Sequence, residues 1–189
     1  MADLLVIGLG NPGETYAKSR HNVGAQVVEE LARRHDGSLK LAKKERARTA
    51  EVTIAGRRVA LALPTTYMNE SGDAARLLVR RYDVEPAQIV IVHDELDLPV
   101  GRMKVKEGGG LAGHNGLRSV KQHLHTDAFL RVRLGIGKPP TKEEGAKHVL
   151  KRVSRTDRAE FDAVVQEAAD AVEMIATQGV AAAMTRYNA

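Results

Sequence analysis

His21 stands in a polar setting, Arg20-His21-Asn22, between a glycine-rich loop and the start of a helical pattern. Imidazole exchanges a proton near neutral pH, so His21 is a candidate general base. A helix N-terminus beside it opposes protonation and keeps the ring neutral, as a base requires. The plainer alternative is a surface or packing histidine. The stretch His93-Asp94-Glu95-Leu96-Asp97 ends an apolar run and offers an imidazole and several carboxylates. Such a cluster can bind a metal, orient a distant histidine through one carboxylate, or form a solvated acidic turn. Against metal binding, neighbours on an extended chain face opposite sides, and no H-E-x-x-H spacing is present. The three readings stay open from these residues alone.

Two asparagine sites complete the polar set, Tyr67-Met68-Asn69 and His114-Asn115-Gly116. A carboxamide offers a donor and an acceptor, which suits a peptide amide or a developing oxyanion. Turn and cap chemistry is the commoner use of asparagine. Gly8-Leu9-Gly10-Asn11-Pro12-Gly13 fits the spacing G-x-G-x-x-G of dinucleotide sites. The context fails, because the position about 20 residues on is Arg33-Arg34 rather than an acid ending a strand. No G-x-S-x-G elbow is present, so a serine hydrolase is unsupported. His123 and His125, two apart near a helix end, read as surface.

The elements that must position these groups follow from periodicity. Leu4-Leu5-Val6-Ile7 is a buried strand ahead of the glycines. Val23, Val27, Val28 and Leu31 recur at helical spacing from just after Asn22. Two alternating runs, Val52 to Ile54 and Val59 to Leu63, flank Ala55-Gly56-Arg57 and predict a hairpin. Ser71 reads as the cap of a helix carrying Leu77, Leu78 and Val79. Ile89 to Val92 is a buried strand running into His93. Arg102, Lys104 and Lys106 share one strand face, and Arg131 and Arg133 another. Gly108-Gly109-Gly110 is mobile or makes a close backbone approach. Asn115-Gly116 opens a helix through Leu124, and Phe161 to Ile175 marks a long one stopped near Gly179. Strands interleaved with helices predict an α/β fold: a single domain over 1–189 whose twisted, mixed, mainly parallel sheet is flanked by helices.

The chain has 189 residues and no cysteine. That excludes disulfides, thiolate catalysis and cysteine–zinc sites, and suits a reducing compartment. Met1-Ala2-Asp3 has no basic region before its short apolar run, so no signal peptide is expected, and no stretch suits a membrane span. The net charge of +5 favours an anionic partner such as nucleic acid. Aromatics at 3% argue against recognition by many stacked bases.

Gly8-Leu9-Gly10-Asn11-Pro12-Gly13, Tyr16, Arg20-His21-Asn22, the run Pro64 to Gly72, His93 to Pro99, Gly113 to Leu117 and Arg131 to Gly137 follow in fixed order. Together they resemble the bacterial-type peptidyl-tRNA hydrolases over nearly the whole chain. The resemblance implies hydrolysis of the ester between a peptide and the 3′ ribose of tRNA, by a cytoplasmic monomer that needs no cofactor and no metal. It implies that His21 is the base and Asp94 the carboxylate that orients it. It implies substrate binding by Asn11, Tyr16, Tyr67, Met68, Asn69 and Asn115, with Asn11 discriminating N-blocked substrates. It implies that Lys106 and Arg133 meet the tRNA 5′ phosphate. Leu111-Ala112 departs from the family pattern, in which the first position is often Ser or His. The rival readings are a non-catalytic RNA-binding homologue and a plain esterase.

Overall fold

A computed structural model describes all residues, Met1–Ala189. Its centre is a seven-stranded sheet in the order β2-β3-β4-β1-β5-β7-β6. The strands are β1 (Leu4–Gly8), β2 (Lys40–Ala42), β3 (Ala47–Ile54), β4 (Arg57–Pro64), β5 (Ile89–Glu95), β6 (Met103–Glu107) and β7 (Leu130–Gly135). The central four, β4, β1, β5 and β7, run parallel to one another. β3 and β2 extend one side as antiparallel strands, and β6 closes the other. The expected hairpin forms, with Ala55 and Gly56 both at positive φ, as its tight turn requires.

Both faces of the sheet are covered, which is why β1 and most of β5 read as unbroken apolar runs. On one face lie α1 (Val23–Arg34), α5 (Arg158–Gln178) and α6 (Val180–Tyr187), packed on Val6, Val90, Val92 and Val132. On the other lie α2 (Ser71–Tyr82) and α3 (Asn115–Leu124), packed on Ile7, Ile89 and Ile91. A short α4 (Gly145–Leu150) buries none of its own residues fully; its half-buried Val149 packs against the first of these cores. Ser71 is the first residue of α2 and not its cap; its hydroxyl donates back to the Met68 carbonyl at 2.6 Å. Glycine at position 24 lets α1 touch β5: a Cβ there would lie 2.2 Å from the Val92 carbonyl oxygen. No helix is long and apolar enough to cross a membrane.

Candidate active site

The carboxyl ends of β1 and β5 bring the polar motifs together, where open α/β sheets place their ligands. His21 sits in a short 3₁₀ turn, Arg20–Asn22, directly before α1 and is 8% exposed. Asp94, near the end of β5, is 2% exposed. The two side chains meet, His21 Nδ1 lying 2.8 Å from Asp94 Oδ2. The second carboxylate oxygen, Oδ1, lies 2.7 Å from Nε2 of His114.

Sequence reasoning missed that third group. His114 caps α3, its Nδ1 accepting the main-chain N–H groups of Gly116 at 3.0 Å and Leu117 at 3.2 Å. A nitrogen that accepts carries no proton, so the His114 proton sits on Nε2 and is donated to Asp94. Asp94 is then an acceptor between two ring N–H donors. His21, donating through Nδ1, keeps a bare lone pair on Nε2. Burial pushes the Asp94 carboxyl up, but His114 and His21 outweigh it and hold the group well below the ordinary carboxylate range.

His93 faces elsewhere. Its Nδ1–H donates to the Asp94 carbonyl at 2.7 Å, and its buried Nε2 has no partner. Burial, reinforced by nearby His114, lowers its pKa to about 3, so the ring is neutral. His21, Asp94 and His114 together offer three atoms within 4.8 Å of one another, a set with metal-ligand chemistry. The spacing argues otherwise. Ligands at about 2.0–2.1 Å on a tetrahedral ion lie about 3.3–3.4 Å apart. The nitrogen–oxygen distances of 2.7 and 2.8 Å are those of hydrogen bonds.

A groove of about 480 Å³ runs past His21 and is lined by Asn11, Tyr16, Tyr67, Met68, Asn69 and Asn115. All six residues singled out for substrate therefore border one cavity. The Asn11 side-chain oxygen accepts the Met68 N–H at 2.7 Å. Asn22 grips the Asn11 peptide from both sides, at 2.9 and 2.8 Å. The Asn11 carboxamide N–H groups are left without a protein partner. Asn22 was visible in the sequence only as a neighbour of His21; its side chain fixes Asn11. A second cavity of about 250 Å³ adjoins the groove between the Ala112–Asn115 segment and α4.

Helix α4, which periodicity did not reveal, is strapped over these cavities. Arg20 N–H donates to Lys151 at 3.0 Å and Val153 N–H to Lys18 at 3.2 Å. His148 Nε2 meets the carbonyls of Ile136 and Gly137 at 3.2 and 3.1 Å.

The cations divide. Lys106 is half-buried and lies along Gly109, where a Cβ would come within 2.6 Å of its Nζ. Arg133 donates to Glu95 Oε1 at 3.1 and 3.0 Å, and its side chain is 19% exposed. Arg131 lies on the same strand face as Arg133 but is 1% exposed. β7 is an inner strand, and the loop after β6 closes over the guanidinium.

A buried histidine–carboxylate–histidine cluster beside an amide-lined groove, at the carboxyl end of an α/β sheet, defines an acid–base centre. Residues 5–189 match the family model described as peptidyl-tRNA hydrolase. A peptidyl-tRNA hydrolase of Rhodococcus erythropolis is 51% identical over 184 residues, covering 97% of each chain. One of Mycolicibacterium smegmatis is 48% identical over 186 residues, covering 98% of this chain and 97% of that one. The crystal structure of the Acinetobacter baumannii peptidyl-tRNA hydrolase superposes with a TM-score of 0.94 at 39% identity, covering 100% of this chain and 96% of the other. The chain belongs to the peptidyl-tRNA hydrolase family.

Proposed function

We propose that the chain hydrolyses the ester of N-blocked peptidyl-tRNA, with His21 as the general base. The observation that carries this reading is the His21–Asp94 bond beside the amide-lined groove. His21 Nε2 takes a proton from water, and the water oxygen attacks the ester carbonyl. Asp94 holds Nδ1–H and stabilises the imidazolium that forms. Collapse of the tetrahedral intermediate breaks the bond to the ribose oxygen, which leaves as the 3′-hydroxyl with the proton from His21. No covalent intermediate is needed.

The free amide N–H groups of Asn11, Asn69 and Asn115 bind the peptide and the oxyanion, an effect worth about 3–4 kcal/mol for a well-placed donor. Tyr16, Tyr67 and Met68 wall the peptide. Lys106 and Arg133 meet the tRNA 5′ phosphate, Arg133 through donors not taken by Glu95. The enzyme acts as a cytoplasmic monomer of one domain and routes no step through a metal.

The test uses N-acetyl-aminoacyl-tRNA beside free aminoacyl-tRNA. The chain cleaves the blocked form preferentially, and His21→Ala abolishes turnover while tRNA binding persists. Wild-type turnover in that variant would remove His21 as the base. Binding without turnover by the unaltered chain would mark a non-catalytic RNA-binding homologue instead.

A further inference from the structure

Arg131 is a cation in an unexpected place. Its guanidinium is buried, lies 4.7 Å from the Phe129 ring centre and makes no ion pair. Its partners are carbonyls: Gly109 at 2.8 Å, Asp127 at 3.1 Å, and Gly110. Burying a charge without a paired anion is costly, and burial pulls its pKa below the ordinary arginine range, against the pull of the more distant Asp127 and Glu95 carboxylates; the guanidinium stays charged. What this charge holds is the segment Gly108–Gly113. That segment has positive φ at Gly108, Gly109, Ala112 and Gly113, so no regular ladder can secure it. Its main-chain bonds lie only at its ends, Gly108 N–H to Phe129 at 3.1 Å and Leu111 accepting from His114 N–H at 2.9 Å. The two carbonyls between are tied by Arg131. The residue after the segment is His114, whose Nε2–H fills Asp94 Oδ1.

We propose that Arg131 is a positioning residue: its fork fixes the glycine segment in the shape that delivers His114 to Asp94. Without the fork the segment shifts, His114 leaves the carboxylate, and Asp94 holds His21 with its other oxygen unsatisfied. The placement of Arg131 makes the obvious alternative a fair contest. Across β6 and β7 it is in register with Lys106, so a basic face would make it one more phosphate ligand. Its burial makes it a tie for the protein's own carbonyls.

This inference rests on the proposed function for its kinetics but not for its second readout. Arg131→Met removes the charge, and Arg131→Lys keeps the charge but not the fork. Both lower kcat about ten- to hundredfold. Both leave the dependence of KM on salt as in the unaltered chain, whereas Lys106→Ala flattens that dependence by about one phosphate contact. Independently of any substrate, proton NMR of the unaltered chain shows two low-field imidazole N–H signals, from His21 and His114. The His114 signal is lost in the folded Arg131 variants. A flattened salt dependence in either variant overturns the proposal, because it makes Arg131 a phosphate ligand. Unchanged kcat with both signals retained overturns it too. If Arg131→Met does not fold, Arg131→Lys decides alone.

Discussion

Asp94 takes one proton-bearing nitrogen from each of two histidines, and this settles which nitrogen of His21 is free. Asn11 divides its work in a similar way. Its oxygen serves the protein by accepting from Met68, and its amide N–H groups are left for substrate. Asn11→Asp keeps the acceptor and removes the donor. Unfolding free energy should change by less than about 1 kcal/mol, while kcat/KM on N-acetyl-aminoacyl-tRNA falls about tenfold or more. An unchanged kcat/KM in steady-state assays would exclude Asn11 from substrate binding. His93 carries a pH prediction. Its pKa is near 3 in the fold because of burial, against about 6.5 in an unfolded chain. The unfolded chain therefore binds the extra proton first as pH falls. Stability is intact above about pH 6.5 and is lost progressively toward pH 3, by up to about 1.4 kcal/mol per pH unit. Asp94, held low by its histidines, adds to the loss only below the ordinary carboxylate range. His93→Asn should flatten the decline between about pH 6 and pH 4, read from denaturant unfolding at each pH.

At the scale of elements, the distance from His21 to Asp94 is set by the packing of α1 on β5. Gly24→Ala forces a methyl group into the Val92 carbonyl. It should cost about 1–3 kcal/mol in denaturant unfolding and depress kcat by pushing His21 off Asp94. Full activity at reduced stability would show that α1 can shift without carrying His21. The elements that periodicity revealed are those with a buried face: β1, β3 to β7, α1, α2, α3 and α5. Those it missed lack one. α4 has no buried residue, β2 is three residues with Leu41 59% exposed, and α6 buries only Ala183. The site was legible in the same uneven way. His21, Asp94 and the asparagines stood out by residue type and setting. His114 did not, because a cap that also feeds a carboxylate leaves no periodic mark. The burial of Arg131 was not legible, because alternation along a strand cannot tell an edge from an interior strand.

The whole molecule is closed at its end. β6 is an edge strand, and the Asn188 carboxamide pairs with the Val105 peptide, accepting its N–H at 2.8 Å and donating to its carbonyl at 2.7 Å. The pair imitates one residue of a neighbouring strand and covers an edge that would otherwise invite pairing. Asn188→Ala should speed hydrogen exchange at the Val105 amide and cost about 1–3 kcal/mol for two hydrogen bonds. Exchange at the rate of the unaltered chain would mean that α6 packing alone secures the edge.

The site is gathered from distant parts of the chain: His21 needs Asp94, Asp94 needs His114, and the turn holding His21 is strapped to Lys151. During its own synthesis this polypeptide is a peptidyl-tRNA, joined to its carrier by the ester it is proposed to cut. Chains emerge from the ribosome N-terminus first. His21 appears early, but its partners follow by 73 and then another 20 residues, and the strap follows those. On that proposal, cutting competence arrives only after Val153 has been made and folded back, and the order of synthesis shields every shorter nascent copy from its own active site.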